Sequence, residues 1–344
     1  MATITDVARK ANVSTSTVSH VINDTRYVSD EVKCRVRAAM ADLNYQPNVI
    51  ARSLRTRETM TVGLVLSDIT NPFFPSLVRT IEDSVFKEGY SIMLCDTDER
   101  KDLEETHLRL LVGRRVDGLI VAPSSGGSEY LRALIESDMP VVLLDRHVPG
   151  LNGDVVLSDN VAGGYDAVSH LIDLGHRRIG ILAGRLEVST GLDRLEGYLK
   201  ALQDNGIDRD DNLVRVANFR RDEAEQKTME LLSLDEPPTA VFACNNLMAA
   251  GALAAIRRAS LRVPNDVSLA SFDDSEWAAL MNPSLTVVAQ DVAELGQRAA
   301  DLLLRRIRRG PVKNPRRIVV KPRLIVRDSC SPLGGATHGY TKMD

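Results

Sequence analysis

Hydrophobic positions along this chain follow two different periods, and the change falls near residue 60. Before that point, apolar residues recur every three or four positions, which is the spacing of amphipathic helices. After it, short runs rich in Val, Ile and Leu alternate with stretches of helical period. The pattern therefore predicts a small all-helical head followed by a larger α/β body.

Three short helices account for the pattern in residues 1–45. The first runs from about Ile4 to Ala11, and a break of about three residues separates it from a second helix that ends near Ile22. A helix, a turn and a helix in this order form a helix-turn-helix. The short polar residues placed to cap the three helices are Thr3, Ser14 and Ser29. Asp6, three residues after the first of these caps, predicts a capping box.

The second predicted helix contains the stretch STSTVSH, whose hydroxyl residues are poor helix formers. If its Val and Ile residues face inward, its other face carries Thr15, Ser16, Ser19 and His20. Short, uncharged side chains of this kind can hydrogen-bond to base edges in a major groove, and a His can donate to guanine acceptors. Solvation of an exposed helix face explains the same residues, but the preceding helix and turn favour DNA reading.

Residues 45–61, YQPNVIARSLRTRETMT, combine a helix start with a basic face. A proline prevents the preceding helix from continuing, and Asn48 can cap a new helix of about nine residues, which is too short to be stable alone. Leu54 lies among Arg52 and Arg55, a setting that suits an apolar wedge inserted into the minor groove. A basic linker between two domains is the alternative interpretation.

Eight near-continuous apolar runs follow, separated by amphipathic helical patterns. They are TVGLVL (61–66), SIMLCD (91–96), GLIVAP (118–123), PVVLLD (140–145), DVVLSD (154–159), RIGILAG (178–184), AVFACN (240–245) and VSLASFD (267–273). Such runs between helices are typical of parallel sheets covered on both faces. Two successive sets predict two doubly wound subdomains.

Ligands of doubly wound sheets bind at the carboxyl ends of the strands. The candidate binding residues at these ends and on the neighbouring elements are Ser67, Asn71, Phe73, Phe74, Asp145, Arg146, Arg194, Phe219, Asn245, Asp273 and Gln290. Carboxylates, amides and guanidinium groups pair with vicinal hydroxyls, and phenylalanine rings cover the apolar face of a sugar. Any one of these residues fits a surface ion pair or the core equally well, but together they indicate a neutral polyol.

Composition and cysteine usage narrow the class of protein. The chain has 344 residues, of which 44% are hydrophobic and 26% charged, as in ordinary globular proteins. No apolar run reaches the roughly 18 residues of a membrane span, and the first residues have no signal-peptide core, so we expect a cytoplasmic protein without a membrane partner. The cysteines are far apart and form no C-x-x-C pair, which indicates reduced thiols.

Charge is distributed unevenly along the chain. Residues 1–60 hold nine Lys/Arg and six Asp/Glu, whereas residues 61–344 hold 34 and 41. A basic head on an acidic body indicates an anionic partner for the head, although a local excess of three charges is also common on solvated surfaces.

An enzyme is the first alternative, with His107, His147 and His176 as candidate bases. The chain contains no G-x-S-x-G, no H-E-x-x-H, no metal-spaced His/Cys/Asp cluster and no phosphate-cradling glycine motif. We therefore predict a protein without catalytic residues, metal or cofactor. A transport-type binding protein is the second alternative, and the basic head argues against it.

The stretches TITDVARKANVSTSTVSHVIND, VSDEVKCRVRAAMADLNYQPNVIARSLRT and TVGLVLSD closely resemble the head of the LacI/GalR family of bacterial repressors. The resemblance covers nearly the whole chain, to about residue 329. It implies a helix-turn-helix, a hinge helix that folds on DNA, and a body like periplasmic sugar-binding proteins. It also implies a homodimer that reads a pseudo-palindromic operator, since a two-fold protein matches two half-sites.

Within this resemblance, the recognition-helix contacts fall on Thr15, Ser16 and His20, and the minor-groove wedge falls on Leu54. The complete set of candidate DNA-binding residues is Thr5, Ser14, Thr15, Ser16, Ser19, His20, Asn23, Arg26, Asn48, Arg52, Leu54 and Arg55.

The resemblance also points to an effector. The sugar contacts of ribose-binding proteins map without substitution onto the candidate binding residues at the strand ends, while the head is equally similar to ribose and purine repressors. Purine repressors carry an aromatic residue after the Asp that follows the PVV-type strand, whereas this chain has Arg146 there and its single tryptophan at Trp277. We therefore expect a repressor of a ribose or pentose operon, with a purine, a nucleoside or another sugar as the alternative effector.

The predicted organisation has four parts. They are a helix-turn-helix domain at 1–46, a hinge at 47–60, an effector-binding and dimerisation body at 61–329 and a disordered tail at 330–344. Within the body, the N-subdomain covers about 61–160 and 292–320, and the C-subdomain covers about 161–291 and 321–329. The tail SPLGGATHGYTKMD is rich in Gly, Ser and Thr and contains no leucine heptad that would make tetramers.

Overall fold

The computed structural model describes residues 2–24, 26–46, 58–124, 126–310 and 314–333. The chain divides into two units, a head that ends at Thr59 and a body that begins at Met60. Each unit is described by itself. The predicted hinge residues Asn48, Arg52, Leu54 and Arg55 lie outside the described ranges.

The head contains the three predicted helices, α1 (Ile4–Ala11), α2 (Thr15–Asn23) and α3 (Asp30–Asp42). The capping box of α1 is present, because the Asp6 amide donates to Thr3 Oγ1 at 3.3 Å and the Thr3 amide donates to the Asp6 carboxylate at 3.0 Å. At the start of α2, the Thr17 amide donates to Ser14 Oγ at 3.0 Å. The predicted helix-turn-helix is confirmed.

The predicted cap of α3 is wrong in one respect. Ser29 occupies the N-cap position, but its side chain makes no capping hydrogen bond. Asp30 and Glu31 fill the first turn, where their negative charges stabilise the free amide groups through the helix dipole. Electrostatic stabilisation therefore takes the place of the serine hydroxyl at this helix end.

Arg35 of α3 fixes the turn between α1 and α2. Its Nε and Nη2 donate to the Ala11 carbonyl at 3.2 and 3.0 Å, and Nη2 also donates to the Asn12 carbonyl at 3.3 Å. Asn12 has a φ of +51°, the left-handed conformation that commonly ends helices. The three helices enclose a small core whose buried members are Val7, Ala8, Ala11, Val18, Val21, Val36 and Ala39.

The first sheet of the body has six strands and is parallel throughout. Its strands are β1 (Thr61–Leu66), β2 (Ser91–Asp96), β3 (Gly118–Val121), β4 (Val141–Leu144), β5 (Asp154–Ser158) and β11 (Arg317–Val320). Their order in the sheet is β11-β5-β4-β3-β1-β2.

The second sheet also has six strands. They are β6 (Ile179–Ala183), β7 (Val214–Val216), β8 (Ala240–Ala243), β9 (Ser268–Phe272), β10 (Thr286–Ala289) and β12 (Arg323–Ile325). Their order is β12-β10-β9-β8-β6-β7, and only the pair β10–β12 is antiparallel. All eight predicted runs are strands. Four strands are not among these eight runs. The strands β7, β11 and β12 are partly exposed, and β10 is a buried run of only four residues.

Helices cover both sheets, which confirms the doubly wound α/β class. Those of the body, within its described residues, are α4 (Phe73–Phe86), α5 (Lys101–Gly113), α6 (Glu129–Glu136), α7 (Asn160–Asp173), α8 (Ser189–Asp204), α9 (Arg221–Leu232), α10 (Asn246–Arg258), α11 (Glu276–Leu280) and α12 (Val292–Arg309). The chain passes between the two sheets three times, after β5, after β10 and after β11. Across the described part of the chain, no helix has the length and apolar character needed to cross a membrane.

The predicted disorder of residues 330–344 is wrong for the first four of them. The Ser331 amide donates to Ser268 Oγ at 3.1 Å, and the Leu333 amide donates to the Leu174 carbonyl at 2.8 Å. These polar groups of the second subdomain hold the segment in place despite its small, flexible residues. Residues 334–344 lie outside the described ranges.

Helices α7 and α8 approach closely enough for backbone contact. A Cβ atom on Gly164 would lie 2.7 Å from the Arg194 carbonyl oxygen, and one on Gly197 would lie 2.3 Å from the Val161 carbonyl oxygen. The same approach places Arg194 Nε 2.8 Å from Asn160 Oδ1. The position of a predicted binding residue therefore depends on these two glycines.

Gly197→Ala is expected to lower the free energy of unfolding by about 1–3 kcal/mol, because the added methyl group must push α7 and α8 apart. Urea unfolding measures this change. The matched control is Gly113→Ala at the end of α5, where the new methyl meets no atom within 4 Å, and it should shift the free energy by less than about 1 kcal/mol. Equal destabilisation by both substitutions would contradict the backbone-contact argument.

Candidate effector cleft and DNA-reading helix

A cavity lies where the carboxyl ends of strands from the two sheets face each other. Ten of the eleven candidate binding residues line it. They are Asn71, Phe73, Phe74, Asp145, Arg146, Arg194, Phe219, Asn245, Asp273 and Gln290. The topology thus brings together residues spread over more than 200 positions of the chain.

Ser67 is the candidate residue that does not line the cavity. Its side chain is fully buried, and its carbonyl accepts a hydrogen bond from the Glu99 amide at 2.7 Å. Three lining residues, Asp68, Glu99 and Thr190, are missing from the sequence prediction. Asp68 and Glu99 follow β1 and β2 within three residues, so the strand-end rule could have found them. Thr190 lies in the first turn of α8 and gives no comparable signal.

Arg146 is held in the cavity wall by Glu99. Nη1 and Nη2 of Arg146 donate to the two carboxylate oxygens at 2.7 and 2.6 Å, and Nη1 also donates to the Pro123 carbonyl at 3.1 Å. The two side chains are 4% and 2% exposed, so this is a buried, bidentate salt bridge. Loss of either partner would leave the other charge buried and unpaired, and the two residues therefore act as one unit.

Arg194 is fixed from three sides. Its Nε donates to Asn160 Oδ1 at 2.8 Å, and its Nη1 donates to the Cys244 carbonyl at 2.5 Å. Nη1 lies 3.8 Å from Asp273 Oδ2, and the guanidinium carbon lies 3.7 Å from the centre of the Phe272 ring. These contacts come from α7, β9 and the end of β8. They present a rigid guanidinium group to the cavity.

Carboxylates outnumber guanidinium groups in the lining. The buried acidic residues are Asp68, Glu99, Asp145 and Asp273, and the buried basic residues are Arg146 and Arg194. Burial raises the pKa of Asp145 to about 6, although both arginines act in the opposite direction. Burial also raises the pKa of Asp273. Such a wall disfavours additional negative charge and favours a neutral ligand that donates hydrogen bonds.

Three polar atoms of the lining have no hydrogen-bond partner among the described residues. They are Arg146 Nε, Thr190 Oγ1 and Gln290 Oε1. The nearest counter-charge of Arg146 Nε is Asp145 Oδ2, at 3.5 Å. Because buried polar groups are almost always hydrogen-bonded, a donor, an acceptor and a hydroxyl left open around one cavity indicate a polar ligand.

Phenylalanine rings form the apolar part of the wall. Phe73 and Phe74 at the start of α4 meet edge to face, with ring centroids 5.1 Å apart. Phe219 has a φ of +62°, and its ring packs so closely on Gly184 that a Cβ atom there would lie 2.1 Å from the ring. Rings alternating with polar groups suit a small cyclic molecule that has apolar faces and a polar rim.

Hydrogen bonds cross the cleft between elements of the two sheets. Arg220, before α9, donates through Nη2 to Asp98 Oδ1 at 2.6 Å, and its Nη1 lies 3.6 Å from Asp68 Oδ2. The His147 amide, after β4, donates to Ser189 Oγ at 3.1 Å. These contacts hold the two carboxyl edges together around the lining residues.

On α2 of the head, Thr15 and Ser16 are exposed, while Ser19, His20 and Asn23 are half-buried. The Asn23 side-chain amide donates back to the Ser19 carbonyl at 2.8 Å. The buried side of the helix is formed by valines, as the sequence predicts. The face opposite the head core therefore carries the short polar side chains.

The other described DNA-binding candidates are Thr5, Ser14 and Arg26, and all three are exposed. Ser14 Oγ accepts the Thr17 amide and lies 2.7 Å from Ser16 Oγ. Its hydroxyl is thus engaged in capping α2. The N-terminus of α2, where the helix dipole is positive, is a favourable place for a phosphate group.

A helix-turn-helix head joined to a body with a polar cleft between two doubly wound sheets defines the class of DNA-binding regulators with a small-molecule site. Comparison with known proteins identifies the family. Residues 3–48 match the bacterial regulatory proteins of the lacI family, and residues 168–330 match the periplasmic binding protein-like domain. The chain belongs to the lacI family and is a DNA-binding transcriptional regulator.

Similar proteins carry two kinds of name. The ribose operon repressor of Haemophilus influenzae is 39% identical over 331 residues, which cover 96% of this chain and 98% of the relative. The HTH-type transcriptional repressor PurR of Mannheimia succiniciproducens is 38% identical over the same length and coverage. Overall sequence identity therefore does not decide whether this chain is more similar to ribose operon repressors or to PurR repressors.

Two solved structures are informative. The lac repressor dimer bound to operator and the anti-inducer ONPF is 30% identical, with a TM-score of 0.85, and the match covers 96% of this chain and 99% of that one. A LacI family transcriptional regulator from Enterococcus faecium with bound ribose is 33% identical, with a TM-score of 0.71, over 79% of this chain and 99% of that one.

The free energy of unfolding is expected to fall as the pH rises through about 6. The pKa of Asp145 in the folded protein is raised to about 6, whereas an aspartate in an unfolded chain titrates near about 3.9. The stabilisation from the protonated carboxyl is complete below the unfolded value and is lost above about pH 6, by roughly 1–3 kcal/mol. Urea unfolding at several pH values between about 4 and 8 measures this loss of unfolding free energy.

Asp145→Asn is the control, because its side chain cannot ionise. The variant should lose the part of the pH dependence that lies between about pH 4 and pH 6 and keep the rest, which includes the contribution of Asp273. Superimposable pH profiles for the variant and the unaltered protein would contradict the assignment to Asp145.

Proposed function

We propose that this chain represses a ribose or pentose operon, for catabolism or uptake, and that ribose bound in the cleft releases the operator. The lining of the cleft carries the proposal, since it combines buried carboxylates and guanidinium groups with three phenylalanine rings. The regulator would act in the cytoplasm, where its DNA lies.

A neutral pentose fits the chemistry of this lining. Its hydroxyls can donate to the carboxylates of Asp145 and Asp273 and accept from Arg146 Nε. The excess of carboxylates opposes a phosphorylated sugar, because a second set of negative charges would be buried beside them. Rings such as that of Phe219 can cover the apolar face of the sugar.

A purine is the alternative effector, because repressors of both names are similar to this chain. A flat base needs an aromatic or apolar surface to stack on. Arg146 stands where the resemblance places an aromatic residue in purine repressors, and Trp277 does not line the cavity. Arg146 is also bound bidentately to Glu99, which keeps it in the wall. These observations favour a sugar.

The comparisons support a sugar more than they support a base. One relative at 39% identity is named for the ribose operon, and a solved relative at 33% identity contains ribose.

On the DNA side, we propose the domain limits given above, with a head at 1–46, a hinge at 47–60 and a body at 61–329. Thr15, Ser16 and His20 of α2 would read base edges in the major groove. The hinge would order on DNA and insert Leu54 into the minor groove. The short polar residues on the exposed face of α2 support the proposed contacts with base edges.

We further propose a homodimer that reads the two halves of a pseudo-palindrome. The lac repressor match is a dimer on its operator. In the body, β2 is an edge strand of the first sheet, with Leu94 44% exposed, and Phe86 at the end of α4 is 74% exposed. An unpaired edge strand is a template for pairing with another chain, and exposed apolar side chains beside it favour such an interface. A second copy of the chain is the proposed cover.

Coupling between sugar and operator requires the two ligands to prefer different arrangements of the body. A sugar that contacts both carboxyl edges favours the closed cleft. Closure would shift the first-sheet halves of the dimer and with them the two hinge segments. Contacts that already cross the cleft, such as Arg220 with Asp98, contribute to the same equilibrium.

Ribose is expected to release a labelled operator from the full-length protein, and Arg194→Ala is expected to keep operator binding while losing the response. The buried guanidinium of Arg194 is fixed by its neighbours, so its loss should remove a sugar contact without affecting the head. Fluorescence anisotropy follows the DNA, and Asp145→Ala should behave in the same way. A normal release of the operator by ribose in Arg194→Ala would contradict the assignment of the cleft as the ribose-binding site.

Leu54→Ala provides the reciprocal control, because it should weaken operator binding while ribose affinity measured by calorimetry stays unchanged. The same calorimeter, loaded with pentoses, hexoses and purines in turn, ranks the effectors. If a purine binds most tightly, the effector is a purine and not ribose. If no compound changes the affinity for the operator, the proposed control of DNA binding by an effector is wrong.

Arg220→Gln is expected to weaken ribose binding by up to about fivefold, because it removes an ion pair that favours the closed cleft. The effect is small because the side chains of the pair are 35% and 57% exposed. Arg209→Gln breaks an exposed pair within one subdomain and should leave the affinity unchanged. A loss of affinity common to both variants would mean that closure is not involved.

A further inference from the structure

The amino edge of the first sheet is the place where the chain enters the body. All strands of this sheet are parallel, so they begin at one edge, and β1 begins there at Thr61, directly after the head and hinge. The Met60 amide is anchored at this edge by Asp117, just before β3, at 2.8 Å. Whatever the head binds is therefore tethered to this edge.

The same edge receives a strongly basic segment of the chain. Residues 302–317 contain seven Lys/Arg and no Asp/Glu, although the body as a whole is acidic. Four arginines of this segment, Arg305, Arg309, Arg316 and Arg317, are exposed. None of them lies in a salt bridge within 4.0 Å of a described carboxylate, although Arg317 stabilises the ionised form of Asp193 from a longer distance. We call these four arginines the basic edge.

Asp154 at the start of β5 holds the two halves of the basic edge together. Its carboxylate forms a buried salt bridge with Arg306 in the last turns of α12, and it also accepts the Arg316 amide at 2.7 Å. Arg317 pairs with Val155 in the register of β11 and β5. The end of α12 and the start of β11 are thus fixed side by side.

Neighbouring residues extend the positive surface. Gly118 at the start of β3 lies against Leu303 and Ile307 of α12, because a Cβ atom there would be 2.8 Å from Leu303 Cδ1. Arg114, exposed and four residues before Gly118, therefore lies at the same edge.

Most carboxylates at this edge are already engaged. Asp154 is paired with Arg306, Glu88 is paired with Arg308, and Asp117 holds the Met60 amide. Glu136 and Asp138, in the groove beside Gly310, are exposed. The basic edge keeps a surplus of positive charge after these carboxylates are counted.

We propose that the basic edge binds the phosphate backbone of DNA that flanks the site held by the head. The proposal rests on the DNA-binding function of the head. Residues 47–59 span at most about 45 Å when fully extended, so duplex bound to the head stays within reach of the edge at high effective concentration. Arginine binds phosphate through its planar fork of donors. The partner is recognised by charge alone, so base sequence in the flanks should not matter.

The test compares two duplexes, one limited to a site selected with the full-length protein from random sequences and one extended on both sides. The variant R305Q/R309Q/R316Q/R317Q and the unaltered protein are titrated with each duplex over a range of salt. Each phosphate contact contributes about −0.9 to the slope of log K against log salt. The unaltered protein should bind the extended duplex about tenfold more tightly than the short one, with a steeper slope.

The variant should bind both duplexes with the affinity and slope that the unaltered protein shows on the short duplex. The control variant R177Q/R209Q/R257Q/R258Q removes the same charge from exposed positions of the second-sheet half and should keep the advantage of the extended duplex. Equal urea unfolding midpoints for both variants and the unaltered protein would exclude misfolding as the cause of any loss of DNA affinity.

Two results would overturn the inference. One is equal binding of the short and extended duplexes by the unaltered protein, and the other is an extended-duplex advantage that survives in the variant. Failure of the unaltered protein to select any site would instead count against DNA binding by the head. These outcomes are distinguishable, since the short duplex reports on the head alone.

Discussion

Burial of charge between the two sheets is the constraint on which the rest of the structure depends. Arg146 and Arg194 are buried in the wall of the cavity, where an unpaired guanidinium group would cost several kcal/mol. Their partners come from separate elements, with Glu99 after β2, Asn160 at the start of α7 and the Cys244 carbonyl after β8. The carboxyl edges of both sheets must therefore be placed accurately, and the close glycine contacts of α7 and α8 serve this placement.

The same wall explains why the cleft suits a neutral, polyhydroxylated molecule. Acidic groups exceed basic ones, and burial raises the pKa of Asp145 to about 6, so the ionised form of this carboxyl is disfavoured in the wall. Hydroxyl groups of a ligand can donate hydrogen bonds to the carboxylates without adding charge. Open polar atoms on Thr190 and Gln290 add specificity, because a ligand that lacks hydroxyls would leave them buried and unsatisfied.

Charge also organises the molecule at larger scale. The head is basic and the body is acidic, so most of the body repels a DNA duplex. The amino edge of the first sheet is the exception, and it is the edge to which the head is tethered. An acidic body with one basic edge would orient itself on DNA without reading its sequence, while the head reads bases. Recognition and orientation are thereby assigned to different parts of one chain.

The sequence by itself determined the elements and much of the candidate site. Helical period, capping residues and apolar runs are local properties, so they gave α1 to α3 and eight strands, and the strand-end rule gave ten lining residues. The same rule covers the position of Glu99, but its importance comes from a salt bridge with Arg146, 47 positions away, which no local pattern reveals. Local patterns also did not mark β11 and β12 as strands, or show that Ser29 leaves capping to its acidic neighbours. Pairing, burial and charge compensation between distant residues exist only after the chain has folded, and for that reason the tertiary structure alone decided them.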